Sequence, residues 1–194
     1  MSDWLPSASP ESLLAKADLL QVLRSFFCDR GVLEVETPLL SQGTIPDASI
    51  DVFRFPGEGH EPDRYLQTSP ESGMKRLLAA GSGDVFQICK AFRQGEAGRN
   101  HNPEFTLLEW YRVGWDHAAL LREVAELLTI VLNLDGWQVW PYRALFVELL
   151  GVNPMDEHTT LRTLTDLAQS QIGSVPSGLD REALLDLLMS HCIE

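Results

Sequence analysis

The sequence VFQICKAFRQGEAGRNHNPEFTLLEWYR, residues 85–112, decides the fold. Its two ends, within 84–93 and 104–115, are rich in β-branched and aromatic residues, and this composition predicts two strands. The connection between them is longer than the about two to five residues usual in a hairpin loop. Beside Arg93 it concentrates the polar residues Glu96, Arg99, Asn100, His101 and Asn102. A long polar loop between two strong strands indicates a functional loop.

The second strand sharpens this prediction, because side chains in a strand alternate between two faces. Phe105, Glu109 and Tyr111 share one face with Leu107, whereas Trp110 lies on the other face and is expected to pack. A glutamate in an otherwise apolar strand is costly to bury without a partner, and a bound ammonium group would supply one. The same pattern also fits an amphipathic strand whose polar face is simply in solvent.

The rest of the chain predicts an α+β fold in which strands come first and helices follow. The other predicted strands are 32–37, 50–55 and 65–68, and the predicted helices are 12–30, 71–80, 116–134, 141–150, 161–171 and 180–192. Ser69 and Pro70 suit the N-cap and the first position of the second helix. No clear domain boundary interrupts this pattern, and 173–178 is the best candidate for a flexible joint.

The composition narrows the class of function. The net charge of the 194 residues is −13, from 28 Asp and Glu against 15 Lys and Arg, whereas tight binding to nucleic acid needs a basic surface. Cys28, Cys89 and Cys192 lack CxxC spacing, which argues against a disulfide framework or a zinc site. No signal peptide and no apolar run long enough to cross a bilayer are evident. The sequence therefore predicts a cytoplasmic protein without membrane contact.

Three motifs resemble those of the class II aminoacyl-tRNA synthetases of lysyl type and their ligase relatives. FRQGEAGRNHNPEFTLLEWY is similar to motif 2, GVLEVETPLL at 31–40 is similar to motif 1, and TSPE at 68–71 is similar to the amino-acid-binding turn. The resemblance implies an antiparallel sheet flanked by helices in a single catalytic domain, 1–194. In that domain 11–40 is the motif 1 region, 65–115 holds the turn and motif 2, and 116–194 is the helical region before motif 3. The glycine-rich motif 3 is absent, so the expected domain is incomplete at its C-terminus.

The resemblance also implies roles for individual residues. Arg93 would be catalytic, pairing with the α-phosphate of ATP. ATP binding is implied for Arg93, Gln94, Gly95, Glu96, His101, Asn102 and Phe105, and amino-acid binding for Ser69, Pro70, Glu71, Glu109 and Tyr111. Pro38 would lie in a homodimer interface. The chain departs from the family at Gly95, where relatives carry a glutamate, and the nearest carboxylate follows at Glu96.

The implied activity is ATP-dependent adenylation of lysine or (R)-β-lysine and its transfer to a lysine of translation elongation factor P. ATP and Mg²⁺ are the implied cofactors, with the Mg²⁺ ligands beyond residue 194, so this chain alone is expected to be inactive. Because the chain is acidic and has no room for an anticodon-binding domain upstream of motif 1, tRNA is not the expected acceptor. A lysine–tRNA ligase and a non-catalytic, dimerising synthetase paralogue stay open as alternatives.

Overall fold

Helix α1, Pro10–Cys28, begins where the Ser9 side chain accepts the backbone N–H of Ser12 at 3.2 Å. Proline suits the first position because its missing N–H would have no partner there. The helix ends two residues earlier than the predicted range 12–30, and it buries Phe26 and Phe27 near its C-terminus. This computed structural model describes residues 5–99 and 101–193, so Asn100 lies outside the described residues.

The two long strands of the site region form as predicted. Strand β5, Val85–Phe92, pairs with β6, Glu104–Tyr111, in an antiparallel ladder, and β1, Leu33–Glu34, pairs with β5 in parallel. In the described residues a second small sheet has the order β2, Leu40–Ser41, then β4, Arg64–Leu66, then β3, Arg54–Phe55. The sheets are therefore antiparallel except at β1, and the strands predicted at 32–37, 50–55 and 65–68 are shorter than expected.

Strand β6 ends at Tyr111, four residues before the predicted limit. The Asp84 carboxylate accepts the backbone N–H of Val113 at 2.7 Å and a guanidinium N–H of Arg112 at 2.9 Å. These bonds take the backbone out of the ladder and into a turn at Gly114. Helix α3, His117–Leu132, follows at once, with the Asp116 side chain accepting the N–H of Ala119 at 2.8 Å.

One face of the β5–β6 pair packs against α1 and α3. Phe27 stacks on Phe86 with ring centroids 4.8 Å apart, and it lies 5.2 Å from the ring of Trp110. Leu127 of α3 belongs to the same buried cluster. The prediction that Trp110 packs against the core is confirmed. The opposite face of the sheet carries the candidate site, beside helix α2, Glu71–Ala79.

A buried charged cluster holds α3 to the end of β6. Glu123 is 3% exposed and makes an ion pair with Arg112, whose side chain is 5% exposed. Trp110 donates its indole N–H to the same carboxylate at 2.9 Å. Because these charges are paired and hydrogen-bonded, their burial is tolerated. The hydrogen bonds to Glu123 and Asp84, and after them the negative charge of both carboxylates, raise the pKa of Arg112 against the opposing effect of burial.

The chain divides into two compact units, the first ending at Asp135 and the second beginning at Gly136. The second unit consists of α4, Tyr142–Leu150, α5, Leu161–Ile172, and α6, Arg181–Leu188, continued by a π-helical turn at Met189–Ile193. Its own core contains Phe146, Leu164, Ala168, Leu184 and Leu188. The boundary between the two units lies at Asp135 and Gly136. The joint suggested at 173–178 instead connects α5 to α6 within the second unit.

Candidate functional site

The site begins with the sheet face that is turned away from the core. The register places Gln87 opposite Glu109 and Ala91 opposite Phe105, and directly opposite residues in an antiparallel pair project to the same face. Phe105, Glu109 and Tyr111 are half-buried. This sheet face is therefore partly covered, unlike the fully solvated polar face of a simple amphipathic strand. The turn 67–70 and helix α2 lie next to it.

Arg93 lies at one end of this face, where the ladder opens into the long loop. Its backbone N–H donates to the Pro103 carbonyl at 2.9 Å, and its guanidinium lies over the Phe105 ring, 5.1 Å from the centroid. Its Nε donates to the backbone carbonyl of Thr68 at 3.4 Å. These contacts bring the predicted nucleotide residues Arg93 and Phe105 together beside the predicted amino-acid turn.

The backbone conformation of the loop suits a glycine at position 95, where relatives carry a glutamate. Gly95 has φ +81°, a left-handed conformation that is strained for a glutamate but not for glycine. The Glu96 carboxylate lies 3.8 Å from the Arg93 guanidinium, and Gln94 donates its backbone N–H to the Asp51 carbonyl at 2.9 Å. The structure therefore places the neighbouring carboxylate next to Arg93, while the loop backbone is fixed to a different part of the chain.

His101 and Asn102 are exposed on the far side of the same loop. A pair of backbone bonds between Gly98 and His101, at 3.0 and 3.4 Å, closes a tight turn there. Within residues 5–99 and 101–193, no hydrogen bond or ion pair joins either side chain to Arg93. Their ATP-binding role stays a prediction.

The amino-acid turn is built around Pro70. The Ser69 hydroxyl accepts the backbone N–H of Glu71 at 3.3 Å, and Pro70, fully buried, occupies the N-cap position of α2. The helix begins at Glu71, the start of the predicted range 71–80, but the N-cap is Pro70 where Ser69 was predicted, and Pro70 is therefore not in the first helical position. The Glu71 carboxylate pairs with Lys75, one turn further along α2.

Glu109 and Tyr111 form a hydrogen-bonded pair on the site face. The Tyr111 hydroxyl donates to a Glu109 carboxylate oxygen at 2.7 Å. Burial raises the pKa of Glu109, and the negative charge of Glu71 raises it further, while the Tyr111 hydrogen bond and the charge of Lys75 act in the opposite direction. Burial, together with the bond to Glu109, raises the pKa of Tyr111 well above its usual range.

These groups are suited to hold cationic amino groups. The negative charge of Glu71 acts on Glu109, and the positive charge of Lys75, which pairs with Glu71, acts on it in the opposite direction. A bound ammonium would relieve the cost of burying the Glu109 charge and the repulsion between the two carboxylates. Arg93 lies on the same face and can pair with an anionic group of a second ligand.

Sequence analysis missed several residues that position this site. Gln87 is 1% exposed on the site face, where it accepts the Thr37 hydroxyl at 3.1 Å. Gln67 donates its side-chain amide to the Lys90 carbonyl at 2.8 Å, which holds the turn against β5. Strand alternation could have revealed Gln87, the one polar residue in VFQIC, and the spacing of four from Glu71 could have revealed Lys75. Nothing in the sequence indicated Gln67.

Pro38 follows the short β1 in an extended, exposed segment. Its role in a homodimer interface stays a prediction. Within residues 5–99 and 101–193, no group of three or more His, Cys, Asp or Glu side chains is placed to hold a metal ion. In the same part of the chain, no helix combines the length and apolar character needed to cross a bilayer.

The comparison with known families places the chain by its sequence. Residues 3–135 match the family described as tRNA synthetases class II (D, K and N), and the chain therefore belongs to this family. Its structure is a class II synthetase-like domain of mixed α and β content.

Individual relatives within this family carry the name of one particular ligase. The chain is 46% identical over 201 residues to the elongation factor P–(R)-β-lysine ligase of Vibrio cholerae, an alignment covering 100% of this chain and 61% of that protein. It is 43% identical over 199 residues to the ligase of the same name from Vibrio atlanticus, with the same two coverages. The ligase of that name from Salmonella typhi is 46% identical over 197 residues, covering 98% and 60%. The chain thus spans about three fifths of these relatives' length.

Proposed function

We propose that this chain forms the amino-acid-binding and α-phosphate-binding part of an ATP-dependent ligase. The ligase would activate (R)-β-lysine and transfer it to a lysine of translation elongation factor P. The observation that carries the proposal is the Glu109–Tyr111 pair on the same sheet face as Arg93. The names of relatives that are 43–46% identical support the choice of substrate and acceptor.

The proposed reaction has two steps. A carboxylate oxygen of the amino acid attacks the α-phosphorus of ATP, the bond to the bridging oxygen breaks, and pyrophosphate leaves. The acceptor amine then attacks the acyl carbon, AMP leaves with the bonding electron pair, and the amine loses a proton. Arg93 would stabilise the negative charge that develops at the α-phosphate, and Phe105 would stack on the adenine. Holding both reactants in place would supply much of the rate.

The amino acid would be held by its amino groups. Glu109 and Tyr111 would receive the ammonium at one end, and Glu71, preceded by Ser69 and Pro70, would hold the second amino group near the reacting carboxylate. The raised pKa of Glu109 supports this assignment, because an ammonium group would neutralise the charge that burial disfavours. Gln94, Gly95, Glu96, His101 and Asn102 would contribute to the ATP side.

Other parts of the proposal concern the metal, the rest of the domain, the assembly and the location. The described residues do not fit a Mg²⁺ site, and we derive no step through the metal. We propose that its ligands and the arginine for the γ-phosphate belong to a motif 3 region beyond residue 194, without which this chain would be inactive. The antiparallel sheet flanked by helices, the homodimer through Pro38 and a cytoplasmic location belong to the same proposal. The free state of Cys28, Cys89 and Cys192 supports that location.

A second candidate is a non-catalytic paralogue that binds the amino acid without activating it. Gly95 favours it, because its φ of +81° is a conformation that would be strained for the glutamate of the family pattern. Incorporation of labelled pyrophosphate into ATP in the presence of (R)-β-lysine would exclude this candidate. A lysine–tRNA ligase is disfavoured by the net charge of −13, and charging of tRNA in place of elongation factor P would establish it.

The test uses a non-hydrolysable β-lysyl-adenylate analogue, because it engages both halves of the site without the γ-phosphate. We expect the chain to bind it in isothermal titration calorimetry. Arg93→Gln and Glu109→Gln should each weaken binding by about ten-fold or more, the loss typical of one charge-assisted hydrogen bond. Glu104→Gln is the matched control, since Glu104 is on the same strand but exposed on the opposite face.

Two results would contradict the proposal. The first is tight binding of the analogue that Glu109→Gln leaves unchanged. The second is equal affinity for the β-lysyl analogue and for one with an uncharged side chain of the same length.

A further inference from the structure

Helix α2 carries a lysine directly beside one of the two carboxylates proposed to hold the amino acid. Glu71 and Lys75 are four residues apart, a spacing that places two side chains in one row of a helix, and the Lys75 ammonium pairs with the Glu71 carboxylate. The next row, about 100° further round the helix, contains Ser72 and Arg76, which line a separate cavity with the segment 41–45. The two rows therefore face different surroundings.

The Glu71–Lys75 ion pair also acts on the second carboxylate of the site. Glu109 accepts the Tyr111 hydroxyl at 2.7 Å on the sheet face next to α2. Burial is the largest cause of the raised pKa of Glu109. The negative charge of Glu71 raises this pKa further, whereas the positive charge of Lys75 lowers it. Lys75 is thus a cation close to both carboxylates that would receive the amino groups of the ligand.

The ion pair is weak enough to be exchanged. The Lys75 side chain is 58% exposed and that of Glu71 is 41% exposed. An ion pair this accessible to solvent is screened, and pairs of this kind on a helix change an equilibrium constant by only about two-fold. The ammonium of a lysine ends a flexible four-carbon stem, so Lys75 can leave Glu71 without any movement of the helix.

The number of charges decides what happens when the proposed ligand binds. (R)-β-lysine has two ammonium groups, which the proposed function assigns to Glu71 and Glu109. If Lys75 stayed in place, three cations would share two carboxylates, and like charges at short distance repel each other. If the second ammonium of the ligand replaces Lys75 at Glu71, two cations face two carboxylates and the charge is balanced.

We propose that Lys75 is an internal counter-ion, which pairs with Glu71 until the second amino group of the ligand displaces it. This inference rests on the proposed function. A ligand with a single amino group binds at Glu109 and leaves Lys75 on Glu71, so it does not have to displace the lysine. Lys75 therefore determines how strongly the site prefers a ligand with two amino groups to a ligand with one.

The experiment compares two non-hydrolysable adenylate analogues that differ in one amino group. One carries the (R)-β-lysyl group and the other carries the 6-aminohexanoyl group, which lacks the second amine. Isothermal titration calorimetry with the 194-residue chain gives both Kd values, and their ratio measures the preference for two amino groups. We expect Lys75→Met to increase this preference about three-fold, within the range of an exposed charge pair, because the competing cation is removed.

Three further variants separate this role from a general effect of charge or helix stability. Lys75→Arg keeps the charge and should keep the natural ratio. Arg76→Met removes the same charge at the next position, in the other row of the helix, and should also keep the ratio. In a chain that already carries Glu71→Gln, we expect Lys75→Met to have no effect on the ratio, because the carboxylate for which lysine and ligand compete is absent.

The possible failures can be told apart. If Lys75→Met changes both affinities by the same factor, the ion pair only stabilises the helix and the inference is wrong. Weaker binding of the β-lysyl analogue to Lys75→Met would show that the lysine holds the ligand, which also overturns it. If neither analogue binds the natural chain, or if Glu109→Gln leaves both affinities unchanged, the proposed function fails and this inference fails with it.

Discussion

At the scale of single residues, Glu109 shows how position determines chemistry. It lies on a strand whose neighbours are apolar, its carboxylate accepts the Tyr111 hydroxyl, and Glu71 adds a second negative charge nearby. Burial is the largest cause of its raised pKa. The ligand-free chain thus holds a carboxylate whose charged form is disfavoured, a feature common at binding sites.

This raised pKa predicts a pH dependence of stability. A carboxyl group with a higher pKa in the folded state binds more protons there than in the unfolded state, so its contribution to stability falls as the pH rises through that interval. Glu109→Gln removes this destabilising effect, because the amide side chain does not ionise. We expect the variant to gain Tm relative to the natural chain as the pH is raised from 4 to 8, in the absence of ligand. A gain that is largest at pH 4 would contradict the assignment.

At the scale of secondary-structure elements, the join between β6 and α3 depends on one buried ion pair. Arg112 and Glu123 are both almost fully buried, and Trp110 and Asp84 complete the hydrogen bonds. A buried pair does not guarantee net stability, yet removal of one partner leaves an unpaired charge in a region of low polarity. The cluster therefore holds α3 against the back of the site sheet.

Glu123→Gln tests this cluster. We expect it to lower the free energy of unfolding by about 2–3 kcal/mol, near the lower end of the cost of breaking a buried pair, because Asp84 still pairs with Arg112. Urea denaturation measures the loss. The control Glu126→Gln lies on the same helix, where an exposed carboxylate pairs with Arg30 at 3.3 Å, and it should cost less than about 1 kcal/mol. Equal costs for the two variants would show that the buried pair has no special role.

At the scale of the whole molecule, each of the two units has its own hydrophobic cluster. One centres on Phe27 and Phe86, and the other on Phe146 and Leu164. The proposed site residues, from Ser69 to Tyr111, all belong to the first unit.

Phe146→Ala tests the second core. Phe146 is fully buried, and truncating such a ring typically costs about 3–5 kcal/mol. We expect hydrogen exchange to show loss of protection in α4, α5 and α6. Val147→Ala, at the next and 48% exposed position, is the control and should change protection little. The prediction fails if the two variants have the same effect.

Much of this architecture could be predicted from sequence. The 2-residue period of 104–111 predicted both the strand and its two faces, and Trp110 packs against the buried cluster behind the site as expected. Strand β6 is shorter than predicted because a tertiary hydrogen bond takes over the backbone at Val113, whose N–H is accepted by the Asp84 carboxylate. The boundary at Asp135 was not predicted, because it depends on which apolar side chains share a cluster and the sequence shows only that they are apolar.

The sequence by itself determined the family, the two long strands and the face that carries Phe105, Glu109 and Tyr111, because strand alternation and motif spacing are local properties of the chain. Only the tertiary structure decided what these residues meet. It placed Arg93 over Phe105 and against the Thr68 carbonyl, and it placed Gly73 against Thr37. Such contacts depend on how separate elements pack in three dimensions, and the periodicity of residues along the chain does not determine the distance between two elements.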